Sequence, residues 1–173
     1  MVADSSNRYG VITRLLHWLM ALGFAWMFLT VVARVINEDA AFSKAVFAYH
    51  SQVGFTILWL AVLRIIWAVV QRANRPTNDL AAKVGHVCMY VLMVVVPLLA
   101  FLRSIGSGRG FTYWGVWPIV EPSEDKIEWL RALGNALHGN LGWLLFILIF
   151  GHIFFAIKHH VSPGHEKVLP RIL

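Results

Sequence analysis

The stretch ALHGNLGWLLFILIFGHIFFAIKHH, Ala136–His160, decides the fold. From His138 to Ile157 it holds no Asp, Glu, Lys or Arg. An apolar run of about 20 residues is what an α-helix needs to cross the roughly 30 Å hydrocarbon core of a bilayer. Two histidines nevertheless interrupt the run, His138 and His152, fourteen residues apart. At 1.5 Å per residue that spacing is about 21 Å and nearly four whole turns. The two side chains therefore share a face, one near each membrane surface, a geometry suited to two stacked cofactors ligated by one helix.

The rest of the chain agrees. Its 173 residues are 58% apolar with only 14% charged, against roughly 45–50% and 25% in soluble proteins. The mean hydropathy is +0.65. These values exclude a soluble globule, a disordered chain and a coiled coil. Despite the pI of 9.9, they also exclude a nucleic-acid partner. The single cysteine, Cys88, can close no internal disulfide and reads as a small buried hydrophobe.

Three more segments qualify as spans, Leu15–Val35, Ala48–Val70 and Val84–Leu102, which with His138–Ile157 predict an all-α, four-helix membrane bundle. The first run is longer than the core of a signal peptide and lacks a small-residue cleavage site, so it reads as a mature helix. No separate soluble domain fits into what remains, which makes residues 1–173 one domain. A tight loop is expected around Asn37–Lys44. The glycine-rich start of the stretch Arg103–Leu137 reads as loop. Pro122-Ser123-Glu124-Asp125, followed by Ile127, Leu130, Leu133 and Leu137, predicts a separate helix over about 124–137 lying on the outer surface, with Ser123 as its N-cap.

Charge assigns the sides. The N-terminus, the linker Gln71–Lys83 and the tail carry eight Lys or Arg and three acids, whereas the opposite side carries six of each. The positive-inside rule then places both termini in the cytoplasm. With that orientation His17 and His86 lie near the cytoplasmic surface, as does His152, while His50 lies near the outer surface with His138. The outer partner of His138 is His50, the only other histidine at that depth. The inner partner of His152 is His17 or His86.

A second regularity points the same way. Ala48–Gly54 and Ala136–Gly142 share the pattern A-x-H-x-x-x-G. A glycine one turn below a ligating histidine, Gly54 or Gly142, leaves room for a flat macrocycle against the backbone; small residues also let membrane helices approach. Arg64 follows His50 by fourteen residues, as His152 follows His138. It therefore projects into the bundle at the inner cofactor, where haem propionates are natural anionic partners for an arginine in hydrocarbon. Arg14, one turn before His17, can serve the same haem. Zinc fits less well, because structural sites draw on four clustered ligands and no acid stands inside any span. Haem needs only two axial imidazoles per site.

The chain thus resembles the bacterial cytochrome b561 family of short, four-helix cytochromes with two b-type haems. The likeness rests on R-x-x-H-W around His17, H-x-x-x-G with the later Arg64 in the second span, G-H at His86, and H-x(13)-H-x(6)-H-H in the fourth. The resemblance implies that His17 pairs with His152 at the cytoplasmic haem iron and His50 with His138 at the outer one, leaving His86 free. It also implies electron transfer between the quinone pool and an outer redox partner. Some short members act as superoxide oxidases, passing an electron from superoxide to ubiquinone.

A quinone site needs proton donors beside an apolar groove. His86 and His159 are the candidates, His159 falling two turns after His152 on nearly the same face; His160 is a weaker one, and His165 reads as solvated. Arg34, Lys44, Arg103 and Arg109 can form a basic mouth for an anion such as superoxide, although the outer side is neutral overall. The alternatives are a haem-bearing, quinone-linked anchor or partner of another redox protein and, from a different class, a histidine-rich transporter for protons or metal ions. The last needs a polar path that the apolar helix centres do not offer.

Overall fold

A computed structural model describes residues 2–76, 79–163 and 167–173. The chain forms α1 (Val11–Ile36), the short α2 (Ala41–Phe47), α3 (His50–Val70), α4 (Leu80–Gly106), a hairpin of β1 (Phe111–Tyr113) and β2 (Trp117–Val120), α5 (Glu128–Val161), and a final 3-10 turn at Leu169–Arg171. Among the described residues four helical stretches are long and apolar enough to cross a membrane: Val11–Ile36, Ala41–Val70, Leu80–Gly106 and Glu128–Val161. The tail and the N-terminus meet at one end of the bundle, here the tail end; the hairpin marks the other.

Burial is inverted relative to a soluble protein. Among the described residues the largest fully buried side chains are polar, Thr13, Thr30 and Ser43, while Leu22, Leu63, Val91 and Ile147 point outward. Hydrocarbon outside removes the reason to hide apolar groups, and leaves polar ones needing partners within the bundle. Cys88 is among the outward-facing residues rather than buried; a thiol is apolar enough to face lipid.

Helices α4 and α5 make the closest pair. A Cβ on Gly134 would lie 2.5 Å from the Cβ of Arg103 and 2.6 Å from the carbonyl of Leu99. One on Gly106 would lie 2.6 Å from the amide nitrogen of Arg131. These two glycines carry the small-residue packing that membrane helices use in place of a hydrophobic driving force. Deeper in, Met89, Leu92 and Val96 of α4 close on Leu145 of α5.

That packing explains where expectation and structure part. The separate surface helix over 124–137 does not form: α5 begins at Glu128 and continues unbroken to Val161, because Gly134 and Gly106 dock its first turns along α4. Ser123 caps no helix; its hydroxyl accepts from the amide of Asp125 at 3.1 Å. The glycine-rich stretch before it is a hairpin rather than open loop. Its turn holds Trp114 and Gly115 at φ of 50° and 70°, a left-handed geometry that glycine adopts freely and tryptophan rarely does. Gln52 of α3 clasps it, donating to the carbonyl of Thr112 at 3.2 Å and accepting from the amide of Trp114 at 2.8 Å. The connection expected as a tight loop at Asn37–Lys44 contains the start of α2.

At the tail end Asp4 is the anchor, its side chain wholly buried. It accepts from the amide of Gly10 and the hydroxyl of Thr13, both at 2.7 Å, and pairs with Arg75 at 3.2 Å. Asp4→Ala strands a nearly buried guanidinium and two donors, and is expected to lower stability by about 2–4 kcal/mol. An unchanged unfolding midpoint of the detergent-purified variant would contradict that expectation.

Candidate functional site

Two histidines of α5, His138 and His152, each meet a histidine of another helix. Near the hairpin, the ring of His138 faces that of His50 with centroids 6.2 Å apart and planes at 79°. Near the tail, His152 faces His17 of α1 at 6.3 Å and 68°. His86 of α4 also approaches His152, at 5.4 Å. A metal held between two imidazole nitrogens at about 2.0–2.1 Å from each places the ring centroids about 6 Å apart. The His50/His138 and His17/His152 pairs match that spacing and each other; His86/His152 is tighter. Among the described residues no group of three or more His, Cys, Asp or Glu converges as a metal-ion cluster.

The backbone around the pairs leaves room. A Cβ on Gly54 would meet only the methyl of Met27, at 3.5 Å, and one on Gly142 only Val96, at 4.0 Å. Neither glycine serves close helix approach, unlike Gly106 and Gly134, so both fit beside a flat ligand. The hairpin-end histidines are also oriented. His138 Nδ1 lies 2.9 Å from the carbonyl of Val96 and His50 Nδ1 lies 2.9 Å from the hydroxyl of Thr30. Phe47 stacks on His50 at 4.8 Å and 18°.

Arg64 of α3 reaches the tail-end cluster, within electrostatic range of His17, His86 and His152. Its Nε donates to the hydroxyl of Tyr90 at 3.2 Å, and no acid pairs with it among the described residues. Arg14 instead hydrogen-bonds the carbonyl of Leu173, while its Nε is buried with no hydrogen-bond partner.

The model of the prokaryotic cytochrome b561 family matches residues 8–173 of this chain. The chain belongs to that family. It is similar to cytochrome b561 homolog 2 of Escherichia coli (strain K12), 28% identical over 98% of this chain and 93% of the relative. Cytochrome b561 homolog 1 of the same organism is 23% identical over 94% of this chain and 96% of that protein.

As a cytochrome b561, the protein is a membrane electron-transfer protein, and membership implies a b-type haem. The transporter reading falls away with it. The half-buried pairs fit the group: opposed imidazoles at the right spacing, glycine-walled room, and an arginine with no acid partner among the described residues. Sequence reasoning missed Thr30, Phe47 and Tyr90. A hydroxyl in the last third of the first span and a phenol one turn after His86 were the available signals, since intramembrane polar groups find partners. His165 lies outside the described residues, and His159 sits in the last turn of α5.

A haem held by the tail-end pair is the one that Arg64→Leu is expected to disturb. Removing a charge-assisted partner worth about 1.5–3 kcal/mol weakens its retention by roughly tenfold to a hundredfold, and the lost positive charge lowers its midpoint potential. Redox titration with haem quantification reads both effects; a change confined to a haem held by the hairpin-end pair would contradict this placement of Arg64.

Proposed function

We propose that this cytochrome b561 holds two b haems, His50 with His138 and His17 with His152, and carries electrons between the outer face of the bacterial inner membrane and ubiquinone. The observation that carries the reading is the equal spacing of the two histidine pairs, 6.2 and 6.3 Å, on one helix and about 21 Å apart along its axis. The excess of basic residues at the tail end supports a cytoplasmic position for both termini. A haem between two imidazoles supplies one-electron exchange at an iron with no open position. The chain's own residues do the rest. His17, His50, His138 and His152 hold and orient, the apolar helix faces exclude water, and Arg64 answers the negative charge of propionates.

Quinone access is supported by a groove of about 600 Å³ between α3 and α4 in their tail-end halves, lined by Ile65, Val69, Val91 and Val94 with Tyr90 and Arg72. Tyr90, whose hydroxyl accepts from Arg64, lines the groove, and His86 stands one turn before Tyr90 in the sequence. Reduction of a quinone takes up two electrons and two protons; His86, and His159 nearer the tail, are the proton donors of this reading.

At the outer face a pocket of about 320 Å³ lies over Phe47, with Arg34, Lys44, Ser43 and the acids Glu38 and Asp39 at its wall. Ser43 Oγ is buried without a partner, and the Arg34 guanidinium sits 4.3 Å from the Phe47 ring. This supports superoxide as donor, two superoxide anions yielding two dioxygen molecules as one quinone takes two protons to quinol. Arg34 pairs with Glu38 at 3.6 Å and Lys44 with Asp39 at 3.1 Å, so capture here depends on local contact rather than a long-range field. An outer redox protein is the second reading, favoured by the exposed Trp114, Val116 and Trp117 of the hairpin.

The test is to add superoxide to the oxidised, haem-loaded protein, with and without ubiquinone. Haem reduction followed by quinol formation supports the proposed direction and donor. Haem that stays oxidised in superoxide but accepts electrons from quinol shifts the reading to a protein partner.

A further inference from the structure

The two ring nitrogens of a metal-binding histidine have different tasks: one ligates, and the acceptor beside the other fixes the tautomer and tunes ligand basicity. For His138 the assignment is direct. Its Nδ1 is 2.9 Å from the carbonyl oxygen of Val96; a carbonyl has no proton, so Nδ1 donates and Nε2 keeps the lone pair. For His50 the neighbour is the Thr30 hydroxyl at 2.9 Å, which in general either gives or takes a proton. A second bond decides. The same hydroxyl lies 2.8 Å from the carbonyl of Met27 and commits its single proton there. Thr30 is 0% exposed, so no solvent competes for either role.

We propose that Thr30 is a positioning residue for the hairpin-end haem: bound to the Met27 carbonyl, it acts as an obligate acceptor that keeps His50 protonated on Nδ1, leaves Nε2 to ligate, and raises the basicity of that ligand. The proposal rests on the two-haem reading above. Both ligands of the hairpin-end pair are thereby held by acceptors, and only the one on His50 comes from a replaceable side chain. The tail-end pair differs, since neither His17 nor His152 makes a side-chain hydrogen bond among the described residues. It serves as an internal reference.

A more basic axial imidazole favours ferric over ferrous iron. Losing the acceptor therefore raises the midpoint potential of the hairpin-end haem. Thr30→Val keeps the side-chain shape and removes the lone pairs; Thr30→Ser keeps the hydroxyl. Both variants and the wild type, purified with their haem, are titrated spectroelectrochemically, with haem content and the low-temperature ferric electron paramagnetic resonance spectrum recorded alongside. The expected result is an upward shift of the hairpin-end potential in Thr30→Val, no change at the tail-end haem, and wild-type values in Thr30→Ser. Should Thr30→Val lose the hairpin-end haem, retention at the wild-type potential in Thr30→Ser upholds the role. An unmoved potential in Thr30→Val, an equal shift of both haems, or a Thr30→Ser variant that behaves like Thr30→Val overturns it. A wild-type protein carrying fewer than two haems would instead overturn the two-haem reading, and the proposal with it.

Discussion

His138→Ala, and separately His50→Ala, is expected to halve the haem content of the purified protein while leaving the remaining haem at its wild-type potential. The reason is geometric. The two rings stand 6.2 Å apart at the hairpin end, far from the tail-end pair. An iron that loses one of two strong ligands keeps a single bond in a site built for two, and second-sphere changes alone already weaken metal sites by about 10–100-fold. Loss of a ligand exceeds that. On the proposed pairing His50 and His138 share one iron, so the double variant should lose no more haem than either single one. If both haems persisted in His138→Ala, the pairing by depth would be wrong.

The second large effect separates His17 from His86, both of which approach His152. The centroid distances, 6.3 Å for His17 and 5.4 Å for His86, favour His17 as the partner across an iron. His17→Ala should therefore lose the tail-end haem, whereas His86→Ala should retain both. The expected defect of His86→Ala is in proton delivery to quinone, a fall of about a hundredfold in quinol formation, as positioned acids and bases typically contribute 10²–10⁴. Its haem spectrum should be unchanged. The opposite pattern, with His86→Ala losing a haem and His17→Ala keeping two, would exchange the two roles.

Much of this was legible from spacing alone. The fourteen-residue interval from His138 to His152 sets two depths on one face, and depth alone pairs His138 with His50. It could not choose between His17 and His86, because both sit at the same depth on different helices; that choice needs a distance. Arg64 was legible as an intramembrane charge in register with His152. Tyr90, its hydrogen-bond partner, was not, since a phenol near an inner surface is equally at home in an aromatic belt. The outer connection was misread for a related reason. Turn chemistry at Gly108, Gly110 and Gly115 signals loop, but hairpin pairing and the clasp of Gln52 are tertiary. Likewise Gly134 and Gly106 lie far apart in the chain, and their mutual docking carries α5 outward as one helix where local signals end it. Thr30 signalled only that an intramembrane hydroxyl needs a partner, not which one: its meaning lies in two hydrogen bonds, one within its own helix and one to the next span.

The most direct test of the central claim is haem quantification by pyridine haemochrome on the purified, haem-replete chain, paired with a reduced-minus-oxidised absorption spectrum. Two b haems per chain, titrating as two components, is the predicted result. One haem per chain or none would contradict it.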